Sequence, residues 1–180
     1  AAESKLEFLD PGAEEGDDDG GAMLPTGNVV DWLDAPDVGR IEATLINAGL
    51  PTIFVAAESL GFKGTELQPD INPHPEILER IEKIRTHGAV AMGLAATPED
   101  AAKRAHTPKL SFVAASQAYT ASDGREVKAE DIDLLARVFS MGPLHHAMTG
   151  TGAVAIASAV AVSGTIPNRL ARQQADGRVR

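Results

Sequence analysis

The chain has 180 residues, 43% of them hydrophobic, no cysteine, and 26 acidic against 16 basic side chains, for a formal net charge of −10. That length holds one sizeable core or two small lobes, and with aromatics at 4% the core has to be filled by aliphatic side chains. The charge balance, with no cluster of Lys or Arg, excludes nucleic acid and anionic membrane surfaces as partners; the lack of cysteine excludes disulfides, thiolate metal sites and thiol catalysis within these residues.

Nothing at the start reads as a signal peptide, and the longest apolar run, Ala153 to Val162, is far short of the roughly 20 residues of a membrane span. A soluble, cytoplasmic domain is expected, in which any anionic ligand is held locally. Lys5 to Leu9 alternate like a strand and run into the turn signal Asp10-Pro11-Gly12. Glu14 to Gly21, "EEGDDDGG", is too acidic and glycine-rich to bury surface and is expected to be a mobile loop. It lacks the alternating ligands and closing Glu of a calcium loop. Thr26-Gly27-Asn28 reads as a polar turn beside Trp32, the single indole.

From Arg40 the pattern sharpens. Ile41, Ala43 and Leu45 fall on one side of an alternating segment, a Gly-Leu-Pro break follows, and Thr52-Ile53-Phe54-Val55 form a second strand. The two strands meet at Asn47-Ala48-Gly49-Leu50-Pro51. After "NPHP", Ile77, Leu78, Ile81 and Ile84 make an apolar stripe against Glu79, Arg80, Glu82, Lys83 and Arg85, which predicts an amphipathic helix packed on a sheet. Thr97-Pro98-Glu99-Asp100 carries the cap, first-turn proline and acids of a short helix. "PKLSFVAA" is a strand, Ser122-Asp123-Gly124 a turn, and Asp133 to Met141 a further strand. A third helix, from about Thr151 to Val162, is nearly all Ala, Val, Ile and Ser. A helix apolar on every face must be surrounded, so a curved sheet wrapped around it is expected, with its first turn buried. The orphan amides of Gly150, Thr151, Gly152 and Ala153 would then point into a pocket suited to a carboxylate or an oxyanion.

The segments "LPTGNVVDWLD", "IEATLINAGLPTIFVAAESLGFKGTELQPDIN", "EKIRTHGAVAMGL" and "DIDLLARVFSMGPLHHAMTGTGAVAIA" together resemble the PrpF family, which includes 2-methylaconitate cis-trans isomerase and the methylitaconate and oxalomesaconate Δ-isomerases. More remotely the chain is similar to diaminopimelate epimerase. The resemblance implies an α+β, diaminopimelate-epimerase-like lobe, a curved, mostly antiparallel sheet around a central apolar helix. It also implies an incomplete chain. Residues 1–39 would be a lead-in with a strand and the acidic loop, and residues 40–180 the second lobe of a two-lobed isomerase. The family's first lobe, with its catalytic lysine and cysteine, and its closing strands lie outside this sequence. No catalytic residue is therefore assigned within it.

The implied activity is a cofactor-independent, metal-independent isomerisation of an unsaturated tricarboxylate, by proton abstraction beside a carboxylate and return elsewhere on the allylic unit. The epimerases place a cysteine directly before Gly-Thr-Gly at the helix start. Here Thr149 stands there, and a hydroxyl without a usable pKa near neutrality excludes a two-thiol racemisation. The resemblance assigns substrate binding to Thr149, Gly150, Thr151 and Gly152, with Asn47 donating a hydrogen bond to the ligand. Two alternatives stand beside this: a non-catalytic carboxylate-binding lobe without acid and base, and an amino-acid epimerase or racemase on the same fold. The expected partner is a small di- or tricarboxylate. An incomplete lobe with open edges should also self-associate as a homo-oligomer or aggregate. Short Gly/Thr turns and turn-capping Asn are common on their own. His145 and His146, being adjacent, would leave a strand on opposite faces and could not grip one metal; one is expected near the pocket. His74, His87 and His106 read as surface or capping residues, and Met92 and Met141 as core fillers.

Overall fold

The computed structural model describes residues 22–174 and 178–180. The strand expected at Lys5 to Leu9, its turn and the acidic loop at Glu14 to Gly21 lie outside the described residues. In chain order the elements are β1 (Asp31–Ala35), β2 (Gly39–Ala48), β3 (Leu50–Ala56), α1 (Gln68–Ile71), α2 (Pro75–Ala91), α3 (Pro98–Ala102), β4 (Lys109–Ala115), β5 (Tyr119–Thr120), β6 (Glu126–Val127), β7 (Leu134–Phe139), α4 (Gly150–Ala161) and α5 (Ile166–Leu170).

Five strands form one open sheet in the order β1-β2-β3-β4-β7. Only β3 and β4 run parallel; the other three pairings are antiparallel. The class is therefore α+β with a mostly antiparallel sheet, as expected. Ile41, Ala43 and Leu45 sit in one buried cluster with Ile53, Ile81 and Ile84, so the alternation and the helical stripe read from sequence meet on the same face. Gly88 lets α2 lie directly on the Ile53 side chain, where an added Cβ would collide. The turn at Thr26-Gly27-Asn28 is closed by Gly27 N–H to the Leu24 carbonyl at 2.9 Å. That at Ser122-Asp123-Gly124 joins β5 and β6 into a two-residue ribbon.

The opposite face of the sheet carries α4. Ile46, Ala48, Phe54 and Val113 pack there against Ala155, Ile156, Ala159 and Val160. The described strands cover that side of the helix, while Ala153, Ala157 and Ala161, spaced at one turn, remain exposed. Thr149 and Gly150 are exposed too, so the first turn is open rather than buried. Alanine is too small and too weakly apolar for composition to decide which face is covered. Thr165 then caps α5 and anchors it: its hydroxyl donates to the Ala159 carbonyl at 2.5 Å, and Ile166 N–H donates to Thr44 Oγ1 on β2 at 3.0 Å. β1, inside the stretch assigned to the lead-in, is an edge strand of this same sheet.

Asp133 ties the last described residues to the start of β7. Its carboxylate accepts from Gln174 Nε2 at 2.5 Å and from the Arg180 amide at 2.9 Å, and its own carbonyl accepts from Arg172 N–H. Burial alone would push this carboxyl up, but the Gln174 and Arg180 hydrogen bonds, with the charges of Arg180 and Arg172, hold it below the ordinary carboxylate value. A depressed carboxyl stabilises the fold above its unfolded pKa and stops doing so as pH falls through the lower folded value. Asp133→Asn is thus expected to melt lower than the wild type at pH 7, with the gap starting to close only below about pH 4, the unfolded value, and closing further as pH falls through the lower folded value. Paired thermal melts at pH 7 and pH 3 test this, and a constant gap would contradict it.

Candidate functional site

The end of the sheet where β2 stops and β3 and β4 begin gathers the residues of interest. β2 turns into β3 through Gly49, whose φ of +71° is a left-handed conformation open to glycine at little cost. The turn leans on α4: a Cβ on Gly49 would stand 3.1 Å from Val154 Cβ and 3.2 Å from the Thr151 carbonyl oxygen. Sequence positions more than a hundred residues apart are therefore in contact, the β2–β3 turn at Gly49 lying against Thr151 and Val154 of α4. Asn47 is 8% exposed, its backbone N–H donates to Met23 O, and its side-chain amide has no hydrogen bond among the described residues. The amide is not among the fully buried unpartnered polar groups, so it is open to solvent or a ligand.

At the helix start, Thr149 Oγ1 accepts from Gly152 N–H at 3.1 Å, and Ala153 N–H donates to the Thr149 carbonyl. Two of the four amides expected to be available are thereby satisfied. Those of Gly150 and Thr151 have no intrahelical partner, as the geometry of a helix start dictates. Thr149→Ala should lose the cap, lowering stability by about 1 kcal/mol, with Thr149→Ser close to wild type; chemical denaturation distinguishes them.

The segments that form this end are poor in charge. Residues 43–57 and 138–168 contain no charged residue, and residues 105–118 contain one, Lys109. A chain of net charge −10 therefore presents an end built from segments without a carboxylate. Lys109 Nζ donates to Ser140 Oγ at 2.8 Å. Burial, with the Arg85 guanidinium nearby, holds its ammonium below the ordinary lysine range. Sequence reading passed over Lys109 and Ser140; the signal that could have found them was a single cation within acid-free segments.

A separate cleft of about 470 Å³ runs along the outer edge of β7 beside α4, bordered by Val138, Ala153 and Ala157 and by Arg137, His145 and His146. None of Asn47, Thr149, Gly150, Thr151 or Gly152 lines it. Arg137 donates to the Glu66 and Ala136 carbonyls and stacks over Tyr119, with Nη2 buried and unpartnered. Both histidines border this cleft, contrary to the expectation of opposite faces. Residues 145–148 are not in a strand, and the two rings stack at 4.8 Å. Among the described residues no group of three His, Cys, Asp or Glu could hold a metal ion, and no helix is long and apolar enough to cross a membrane. His74 lies 3.3 Å from Glu76 on the surface, His87 meets the Lys83 carbonyl, and His106 is exposed. Met92 is a core residue, but Met141 is 69% exposed because it sits in the turn after β7 with φ at +56°.

The family model for the PrpF protein matches residues 1–180. The chain is 55% identical over 168 residues to a 2-methyl-aconitate isomerase of Shewanella oneidensis, covering 93% of this chain and 42% of that protein. It is 56% identical to one of Cupriavidus necator, with the same coverage. It is 35% identical over 158 residues to a 3-methylitaconate isomerase of Eubacterium barkeri, covering 87% and 41%. Among solved structures, a methylitaconate-delta-isomerase superimposes with a TM-score of 0.83 at 34% identity, over 86% of this chain and 40% of that one. The chain thus spans about two fifths of the length of these relatives, in sequence and in fold alike. By both measures it belongs to the PrpF family.

Proposed function

We propose that the protein carrying this chain is an isomerase of unsaturated tricarboxylates, of the 2-methylaconitate type, and that the end of the sheet described above holds a substrate carboxylate. The observation that carries this is the placement, in segments without a carboxylate, of the Asn47 side chain near the open Gly150 and Thr151 amides, in a chain more than half identical to proteins named 2-methyl-aconitate isomerase. Backbone amides at a helix start carry partial positive charge and suit a carboxylate or the dienolate that forms when a neighbouring proton leaves.

In this reading Thr149 fixes the turn, Gly150 and Thr151 donate to the carboxylate, Gly152 keeps the turn free of a side chain, and Asn47 donates from the hairpin. The residues that remove and return the proton belong to the other lobe, so residues 40–180 act as a binding lobe. The reaction moves one proton and one double bond without change of oxidation state, so its balance calls for no redox cofactor. The epimerase alternative asks for a thiol at the helix start, where Thr149 stands. A cytoplasmic location and association through the open β7 edge and the Ala153, Ala157 and Ala161 face belong to the same proposal.

The test is isomerisation of 2-methylaconitate by the intact protein, followed by proton NMR in deuterated water. Double-bond isomerisation with deuterium exchange at the allylic carbon is expected. Carboxylate binding without turnover would favour the non-catalytic lobe, and neither binding nor turnover would overturn the reading.

A further inference from the structure

In the stretch 141–150, which leads from β7 into α4, only Leu144 is buried; His145 is half-buried and the rest are exposed. Leu144 is therefore the one packed anchor of the segment that delivers the Gly150 and Thr151 amides. It folds back beside Phe139 as an isolated antiparallel bridge, flanked by His145 N–H to the Val138 carbonyl at 2.8 Å and Ser140 N–H to the Pro143 carbonyl at 3.0 Å. With the bonds on either side of the pair rather than within it, the N–H and C=O of Leu144 itself face away from β7. Leu144 is 1% exposed, so both groups need partners other than water.

A neighbouring strand would ordinarily supply them; here one side chain serves both. Asn72 Oδ1 accepts from Leu144 N–H at 2.8 Å and Asn72 Nδ2 donates to the Leu144 carbonyl at 3.2 Å, while Gln68 Nε2 donates to the same carbonyl at 3.0 Å. A planar amide carries an acceptor and donors side by side, which is what a peptide N–H and C=O ask for. Gln68 opens α1 and Asn72 directly follows it, one helical turn on, so the two share a side. Their base is fixed: Asn72 N–H donates to the Gln68 carbonyl at 2.8 Å, and Ile71 is fully buried. Beyond Leu144 the chain is held by contacts in series. His145 Nδ1 lies 2.7 Å from the Ala147 carbonyl oxygen, a Cβ on Gly152 would stand 3.2 Å from Met148 Sδ, and Thr149 caps the helix.

We propose that Asn72 is a positioning residue for the carboxylate site, with Gln68 as a second donor beside it. By clamping the backbone of Leu144 it sets the course of residues 145–149, and so the direction in which the Gly150 and Thr151 amides meet the ligand. This rests on the tricarboxylate reading above. Asn72 touches no ligand; it acts through a backbone group 72 positions away in sequence. A displacement of about 1 Å at a binding turn is enough to cost much of its effect.

The experiment uses the intact protein and measures binding of propane-1,2,3-tricarboxylate by calorimetry, steady-state kinetics on 2-methylaconitate, and a thermal melt. Asn72→Ala is expected to weaken binding and raise KM about tenfold, with a smaller change in kcat. Gln68→Ala, which leaves both Asn72 bonds in place, should weaken binding by a smaller factor. Thr97→Ala is the control for stability alone, since it removes the cap of α3 and should lower the melting temperature with KM and affinity as in the wild type. In hydrogen exchange, residues 144–149 of Asn72→Ala should exchange faster while β4 stays protected. Wild-type affinity in a folded Asn72→Ala variant, or an equal loss in Thr97→Ala, would make Asn72 merely structural and overturn the proposal, while the tricarboxylate reading stands. Should Asn72→Ala not fold, Gln68→Ala decides: a native melt with wild-type affinity and exchange overturns the proposal. A wild type that neither binds nor isomerises overturns both readings.

Discussion

Replacing Arg85 by alanine is expected to destabilise the protein by about 2–4 kcal/mol, mainly from carbonyls left without a donor, since the Glu82 carboxylate, 37% exposed, can rehydrate. The side chain is 5% exposed and grips Glu82 with two nitrogens, Nε to Oε2 at 2.7 Å and Nη2 to Oε1 at 2.6 Å. The remaining donors reach the Ala101 carbonyl at 3.0 Å and the Thr107 carbonyl at 2.9 Å. One guanidinium thus ties α2 to the end of α3 and to the residues leading into β4. Its loss would leave two carbonyls without a donor. For a chain of this size the melting temperature should fall by roughly 10 °C. Arg85→Lys should recover little, because an ammonium cannot span the same fork of acceptors. Thermal and urea melts check this; a fall of under about 3 °C would show that the carbonyls find other donors.

Gly49→Val is the second large effect, and it acts on binding as well as on stability. A side chain at φ +71° costs about 1–2 kcal/mol by backbone strain alone. Its Cβ must also displace the Thr151 carbonyl or the Val154 side chain, each nearer than ordinary van der Waals contact. Either movement shifts the first turn of α4 against the Asn47 hairpin, so carboxylate binding should fall tenfold or more. Gly49→Ala carries the same strain with fewer added atoms and should lie between. Calorimetric titration with propane-1,2,3-tricarboxylate, beside a melt, separates the two consequences. Wild-type affinity in a destabilised Gly49→Val variant would show that the hairpin does not set the ligand geometry.

The parts of this molecule that sequence foretells are those where period and packing agree. Ile41, Ala43 and Leu45 alternate because one side of β2 is buried under α2, and Thr97 precedes Pro98 because a hydroxyl there accepts from Asp100 N–H. The unforeseen β1 reads as DWLDA, acidic and with Trp32 55% exposed under Arg40; an edge strand can be polar because one flank stays in water. α5, only five residues long with proline at its start, is held by Thr165 and Thr44 rather than by periodicity. Met141, expected in the core, is exposed because it sits in a left-handed turn conformation, which hydrophobicity does not encode. The ligand role of the Gly/Thr turn and of Asn47 comes from the resemblance and stands as the proposal above. The half-burial of Lys109 gives no signal in sequence, since the burial of a strand-end lysine depends on what the rest of the fold leaves around it.

The parallel pairing of β3 with β4 has a kinetic consequence. The β2–β3 hairpin closes through Gly49 alone and can form on the microsecond scale of local hairpins. β4 can join it only after residues 57–108 have been brought back across α2, and such non-local closure slows folding. Asn47 thus takes its position early and Lys109 late. A partly folded chain can possess a native hairpin while lacking the carboxylate site proposed above, so ligand capture during refolding should lag behind the recovery of strand signal and mark the completion of the sheet.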